Sequence, residues 1–223
     1  MSLPEIVSRE QWRAAREDLL AKEEALARAR EALGVQRRRM PMVEVGAEYV
    51  FEGGDGKATL LDLFAGRAQL VVHHFMFAPE WETGCRGCSA FLDQVGHLAH
   101  LKARDTAFAV VSRAPYTRVL PFKARLGWTV PWYSSYDSDF NADFEATLAR
   151  PDGELVERQG LSCFLRDADR VFHTYSAFGR GLDGLGTAAG LLDLTVWDGG
   201  PKRTFSITTS TTSDHSACGR CVR

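Results

Sequence analysis

The feature that most constrains this chain is a nearly continuous apolar run, Gln69 to Phe77 (QLVVHHFMF), followed by Cys85-Arg86-Gly87-Cys88. A run of that length suits a strand covered on both faces, the usual state of a strand in the middle of a parallel sheet. The loop 78–84 then delivers Cys85, and the stretch from Cys88 to Arg104 reads as a helix. A cysteine at a helix start lies near unpaired backbone N–H groups and the positive end of the helix dipole, both of which favour a thiolate. Arg86 adds a nearby positive charge. The spacing sets Cys88 one turn further on, close enough to resolve a mixed disulfide formed at Cys85. The pattern predicts dithiol redox chemistry, with Cys85 attacking and Cys88 resolving. A zinc half-site or two quiet cysteines is the other reading of such a pair.

Composition narrows the setting. With 223 residues, 45% hydrophobic and 25% charged, the chain sits near globular averages and can bury a sizeable core without crosslinks. A formal charge of −2 gives no broad basic field, so nucleic acid and anionic membranes are not expected partners. The N-terminal Met-Ser-Leu-Pro-Glu-Ile leads into charged sequence with no apolar signal region, and no window offers the roughly 20 apolar residues of a membrane span. A cytoplasmic location is therefore expected, where paired cysteines mean redox catalysis or metal binding more often than crosslinks.

Elsewhere the chain reads as alternating elements. Ser8 followed by Gln11 has the capping-box pattern, and a helix is expected to about Leu33 with Gly34 as its stop. On it, Trp12, Leu19, Leu26 and Leu33 recur every seven residues, interrupted at the seam by Lys22. That stripe suits a helix laid on its own core and also admits a homodimer. Tyr49-Val50-Phe51, a Gly53-Gly54-Asp55-Gly56 turn and Thr59 to Phe64 read as a hairpin entering a short helical turn. Thr106 to Ser112 is a second buried strand, Tyr116 to Leu126 a helix closed by Gly127, and Trp132 to Tyr136 a strand. Leu161 to Leu165 and Arg170 to Tyr175 form an antiparallel pair, and Gly181 to Leu192 a last helix. This order predicts an α/β thioredoxin-like three-layer sandwich, a mixed central sheet flanked by helices. The expected divisions are a helical extension (1–40), the thioredoxin-like domain (41–197) and a tail (198–223).

At these residues the chain resembles a known group. The stretch His74-Phe75-Met76-Phe77-Ala78-Pro79-Glu80-Trp81-Glu82-Thr83-Gly84-Cys85 is similar to the signature of a largely bacterial thioredoxin-like family of predicted dithiol-disulfide oxidoreductases, domain-of-unknown-function family 899. The likeness continues through Val111-Ser112-Arg113-Ala114-Pro115, Ser138-Asp139-Phe140-Asn141, Phe172-His173-Thr174-Tyr175-Ser176 and Arg180-Gly181-Leu182-Asp183. The resemblance implies the fold and a dithiol oxidoreductase with no cofactor, acting on a thiol, a disulfide or an oxidised small molecule, with a separate reducing partner. Two departures bear on mechanism. Gln159-Gly160-Leu161-Ser162-Cys163 stands where thioredoxins carry a cis-proline that shapes the substrate groove. Peroxiredoxins use Pro-x-x-x-Thr-x-x-Cys, whereas this chain reads Pro79-x-x-x-Thr83-x-Cys85, one residue short, which leaves thiol peroxidase chemistry as an alternative.

Other candidates are weaker. Cys218-Gly219-Arg220-Cys221 in the tail, with His215 before it, suits a relay that exchanges electrons with the first pair. The same residues with Cys85 and Cys88 also suit a zinc site in a non-catalytic protein, or no role at all. His73 and His74 must point to opposite faces of their strand; most such histidines are core residues, and His74 is retained because it belongs to the resemblance. Trp81, Thr83, Arg113, Trp128 and Trp132 are expected to line a pocket above the cysteines. Cys163 is expected as an apolar filler or a third thiol nearby.

Overall fold

The computed structural model describes residues 3–182, 184 and 185, and the chain divides after Pro41 into two compact units. In the first, the Ser8 hydroxyl accepts the Gln11 N–H at 3.2 Å while the Gln11 side chain accepts the Ser8 N–H at 3.0 Å, opening helix α1 (Arg9–Arg38). That reciprocal pair satisfies two amides that a helix start leaves open. The expected stop at Gly34 is not used. A helical glycine costs only about 1 kcal/mol, and Arg37 and Arg38 favour a helix end four residues later by facing its negative pole.

The second unit begins with β1 (Val43–Glu44), the hairpin β2 (Val50–Gly53) and β3 (Gly56–Thr59), and the turn α2 (Leu60–Leu63). The core follows as β4 (Gln69–His74), α3 (Arg86–Asp93), α4 (Ala99–Lys102), β5 (Thr106–Ser112), α5 (Tyr116–Arg125) and β6 (Trp132–Ser134). Then come α6 (Phe140–Asp143), the short strands β7 (Thr147–Ala149) and β8 (Leu155–Glu157), and the long hairpin β9 (Gly160–Asp167) and β10 (Arg170–Phe178). A 3-10 turn, Gly179–Leu182, is the last described element. The main sheet has the order β1-β10-β9-β4-β5-β6-β2-β3, with β7 and β8 paired separately. Strand β4 is parallel to β5 and antiparallel to β9, so it is central and flanked by both kinds of ladder. A parallel β-α-β unit joined to an antiparallel hairpin in this order is the thioredoxin-like arrangement.

Alternation along the central strands builds two cores. Leu70 and Val72 of β4, with Ala107, Ala109 and Val111 of β5, face a cluster closed by Leu60, Leu63, Phe140 and Phe144. Phe108 and Val110 of β5 face the opposite cluster, closed by Leu92 of α3 and by Val119 and Phe122 of α5. Period two on each strand thus places helical elements on both sides of the sheet.

Two further expectations are corrected, and a third lies largely outside the described residues. The helix expected from Cys88 to Arg104 is two helices, because the chain turns at Gln94 to Leu98, where the Ala99 N–H is taken by the His97 side chain at 3.1 Å. The strand expected to reach Tyr136 ends at Ser134, whose hydroxyl accepts the Tyr136 N–H at 3.2 Å. The helix expected from Gly181 to Leu192 is represented by the 3-10 turn alone among the described residues, and its remainder lies outside them. The β7–β8 pair was not anticipated, since strands of three residues are too short to show a period.

Phe140 is fully buried and meets Tyr49, Phe51 and Phe144 with ring centroids at 5.2, 4.9 and 4.7 Å. Phe140→Ala is expected to cost about 3–5 kcal/mol, read as a lower urea midpoint. A loss under about 1 kcal/mol would mean that this core is not packed as described.

Candidate active site

The site is made where β4 runs out. Phe75 and Phe77 continue the strand direction, and the Phe75 N–H bonds to the Val111 carbonyl at 2.9 Å while the Ala114 N–H bonds to the Phe77 carbonyl at 2.7 Å. The loop then folds back. The Cys85 N–H donates to the Met76 carbonyl at 2.9 Å, and the Met76 N–H donates to the Cys88 Sγ at 3.4 Å. Gly84 permits this return, because a Cβ there would stand 2.5 Å from the Phe75 ring and 3.0 Å from Phe122. Arg118 of α5 holds the outer part of the loop through the Pro79 and Trp81 carbonyls at 2.8 and 3.0 Å.

Cys85 is the N-cap of α3, with extended φ and ψ, and Cys88 occupies the third helical position. The Cys85 side chain makes no cap hydrogen bond to the first amides of α3, and it stands at the positive end of the helix dipole, a position that favours an anion. No acidic residue lies in the first turn, and Arg86 is exposed beside it. Cys88 is fully buried, whereas Cys85 keeps 4% exposure. Both belong to the cluster with Phe75, Phe77, Phe122 and Trp132, so the thiols rest on an aromatic floor. Phe75 and Trp132 form its closest ring pair, at 4.6 Å. The Trp132 N–H is satisfied by the Ser112 hydroxyl at 2.9 Å.

The nominated residues separate in space. Trp132 lies in the floor, and Trp81 and Trp128 pack half-exposed against the same cluster. Trp128 also donates to the Asp93 carboxylate at 2.8 Å. Thr83 is exposed on the loop. Arg113 is committed to Glu157: its Nε bonds to Oε1 at 2.6 Å, and Thr147 donates to the same carboxylate. Burial pushes the Glu157 carboxyl up, and Arg113 and Thr147 pull the other way. This pair fastens the end of β5 to the β7–β8 hairpin. Cys163, half-buried and with its thiol pushed up by burial, pairs with Val71 rather than with the end of β4, and it is not among the residues packed around Cys85 and Cys88.

His74 requires a correction. Its ring faces Phe140 and Phe178 at 5.6 and 6.2 Å, on the sheet face away from the cysteines. Its Nε2 meets the Ser162 hydroxyl at 2.8 Å, and Ser176 links that hydroxyl to His173 by contacts of 2.7 and 2.8 Å. His73 is the histidine on the cysteine side, packed against Phe75 and against Phe91 of α3. Its Nε2 lies 3.4 Å from the Gln159 Nε2. Sequence reasoning missed Gln159, Arg118 and the packing role of Gly84. Only the missing proline at 159–163 pointed toward the first.

Cys218, Cys221 and His215, proposed for a relay or for zinc, lie outside the described residues. Among the described residues, no group of three or more His, Cys, Asp and Glu side chains could hold a metal. No described helix is long and apolar enough to cross a membrane.

Fold and site together define a thioredoxin-like α/β protein with two thiols at the strand-to-helix turn. The chain belongs to the bacterial protein family of unknown function DUF899, whose model matches residues 1–210. Among solved structures it is similar to peroxiredoxin Q of Xanthomonas campestris, with 16% identity and TM-score 0.49 over 62% of this chain and 86% of that one. Peroxidoxin BcpB of Mycobacterium tuberculosis gives 17% and 0.46 over 62% and 85%. A candidate protein disulfide isomerase of Bacteroides thetaiotaomicron gives 20% and 0.42 over 66% and 86%. No curated protein matches in sequence.

Burial pushes both His73 and His74 down to about 3, from an ordinary value of 6.5, with a second histidine adding to the effect in each case. Both are therefore neutral in the folded chain, while the unfolded chain binds protons below 6.5. Their contribution to stability is complete above that pH and is lost as pH falls toward 3, at about 1.4 kcal/mol per pH unit for each histidine. Urea midpoints measured from pH 7.5 to 5 are expected to fall steeply below pH 6.5. A flat profile over that range would contradict the buried, neutral assignment.

Proposed function

We propose that the chain is a thiol–disulfide oxidoreductase whose working groups are Cys85 and Cys88. The observation that carries this reading is their placement at the N-cap and third position of α3, with Cys88 fully buried and Cys85 keeping a small residual exposure. The Cys85 thiolate attacks one sulfur of a disulfide, forming a mixed disulfide and expelling the other half as a thiolate that takes up a proton. The Cys88 thiolate then attacks the Cys85 sulfur, releasing the second half as a thiol and leaving a Cys85–Cys88 disulfide. Two electrons pass to the substrate, and a dithiol or low-molecular-weight thiol returns the pair to its reduced state by the reverse exchange. A reducing compartment such as the cytoplasm suits that cycle.

The aromatic floor excludes water from the inner thiol, which slows competing oxidation of Cys88 by solvent oxidants while exchange through Cys85 continues. The sealed inner position of Cys88 also favours attack by substrate at Cys85.

In single-turnover assays with the reduced chain and a disulfide probe, Cys85→Ser is expected to bring the rate to background. Cys88→Ser is expected to accumulate a mixed disulfide at Cys85, seen by mass spectrometry as the added half of the probe. Native rates in Cys85→Ser would overturn the assignment.

A further inference from the structure

The start of β9 carries a polar group that the chemistry above does not use. Gly160 pairs with His74 across the β4–β9 ladder, and a Cβ on it would stand 2.3 Å from the Phe178 ring. The glycine therefore lets the chain pass close under Phe178, and the residue before it, Gln159, comes to the cysteine side of the sheet. There its Nε2 lies 3.4 Å from the Nε2 of the fully buried His73. An amide nitrogen can only donate, so the imidazole nitrogen must accept and the ring proton resides on Nδ1. His73 stays neutral because burial opposes its charging, so the acceptor persists through the physiological range. With the nitrogen of the carboxamide engaged, its oxygen is presented on the other side.

That oxygen looks onto the first turn of α3. A Cβ built on Gly87 would lie 3.7 Å from the Cys85 Sγ and 3.9 Å from the Gln159 Oε1, and apart from its chain neighbours and the backbone of its own helix it would meet nothing else within 4 Å. The sulfur and the amide oxygen thus flank one vacant position, left by a half-buried residue that has no side chain. No peptide bond among the described residues is cis, so Gln159-Gly160 meets this position with an ordinary trans backbone and a side-chain acceptor.

Resting on the oxidoreductase reading, we infer that Gly87 and Gln159 form the substrate mouth, and that the Gln159 oxygen accepts an N–H of a peptidic disulfide as Cys85 attacks it. The selected class is a disulfide with an amide N–H close to its sulfurs, as in a cysteine-containing peptide. A disulfide without such a donor enters the same mouth but gains nothing from Gln159. The imidazole of His73 acts through Gln159, as a positioning residue that keeps the oxygen turned outward.

The test uses the reduced full-length chain in single turnover with two probes: oxidised glutathione, which carries amide N–H groups beside its sulfurs, and dithiobis-nitrobenzoate, which carries none. Gln159→Leu is expected to slow oxidised glutathione about tenfold, the scale of one neutral hydrogen bond, through weaker binding rather than a slower maximal rate. The same variant is expected to leave the nitrobenzoate probe within about threefold. Gly87→Ala adds a methyl at ordinary contact distances and a better helix former, so its urea midpoint is expected to hold or rise while both probes slow. Equal losses on both probes in Gln159→Leu, or no loss on either, would overturn the inference, as would native rates in Gly87→Ala. If the native chain reduces neither probe, the oxidoreductase reading itself fails.

Discussion

The arrangement depends on one backbone hydrogen bond, from the Cys85 N–H to the Met76 carbonyl. It turns the chain back on itself at the end of the central strand and delivers Cys85 to the start of α3 rather than out into solvent. The bond forms because Gly84 lies flat against Phe75 and Phe122, where any side chain would collide. Around it, Val111 of β5 and Ala114 just beyond that strand grip the strand extension, and Arg118 grips the outer loop. The position of the reacting sulfur is therefore set by backbone geometry and aromatic packing, with side-chain polar contacts tying down the periphery.

The same strand divides the molecule chemically. Odd-numbered positions of β4 face α3 and even-numbered positions face the phenylalanine core around Phe140, so adjacent histidines take separate parts. His73 belongs to the cysteine side and meets Gln159. His74 belongs to a part-buried chain with Ser162, Ser176 and His173. Each ring is kept neutral by burial, and each leaves its Nδ1 without a partner among the described residues. A buried polar atom of this kind costs stability, so the two histidines are a burden that the aromatic cores on either side outweigh.

Much of the fold was legible because its signals are local. The apolar run at 69–77, the turn glycines at 53–56 and the capping box at Ser8 each specify an element from within a few residues, and the structure contains all three. The C-x-x-C pair could be placed at a helix start for the same reason. Signals that depend on distant partners were lost. Arg113 reads as a ligand residue because it follows a strand, yet a carboxylate 44 positions away engages it. His74 was preferred over His73 on resemblance, although only the pairing of β4 with β9 and the packing of α3 decide which ring faces the thiols. Gln159 carries no signal of its own, since its placement follows from the close approach of Gly160 to Phe178 across the hairpin.

The central claim is that Cys85 and Cys88 form a reversible two-electron couple. The direct measurement is a redox titration of the full-length chain in thiol–disulfide buffers, quenched by differential alkylation and read by peptide mapping. The account predicts that the peptide carrying both cysteines passes from doubly alkylated to internally crosslinked in one transition, within the range of catalytic dithiols and above the potentials of structural disulfides. If Cys85 and Cys88 remain alkylated as free thiols across the whole range, the pair is not a redox couple and the account is wrong.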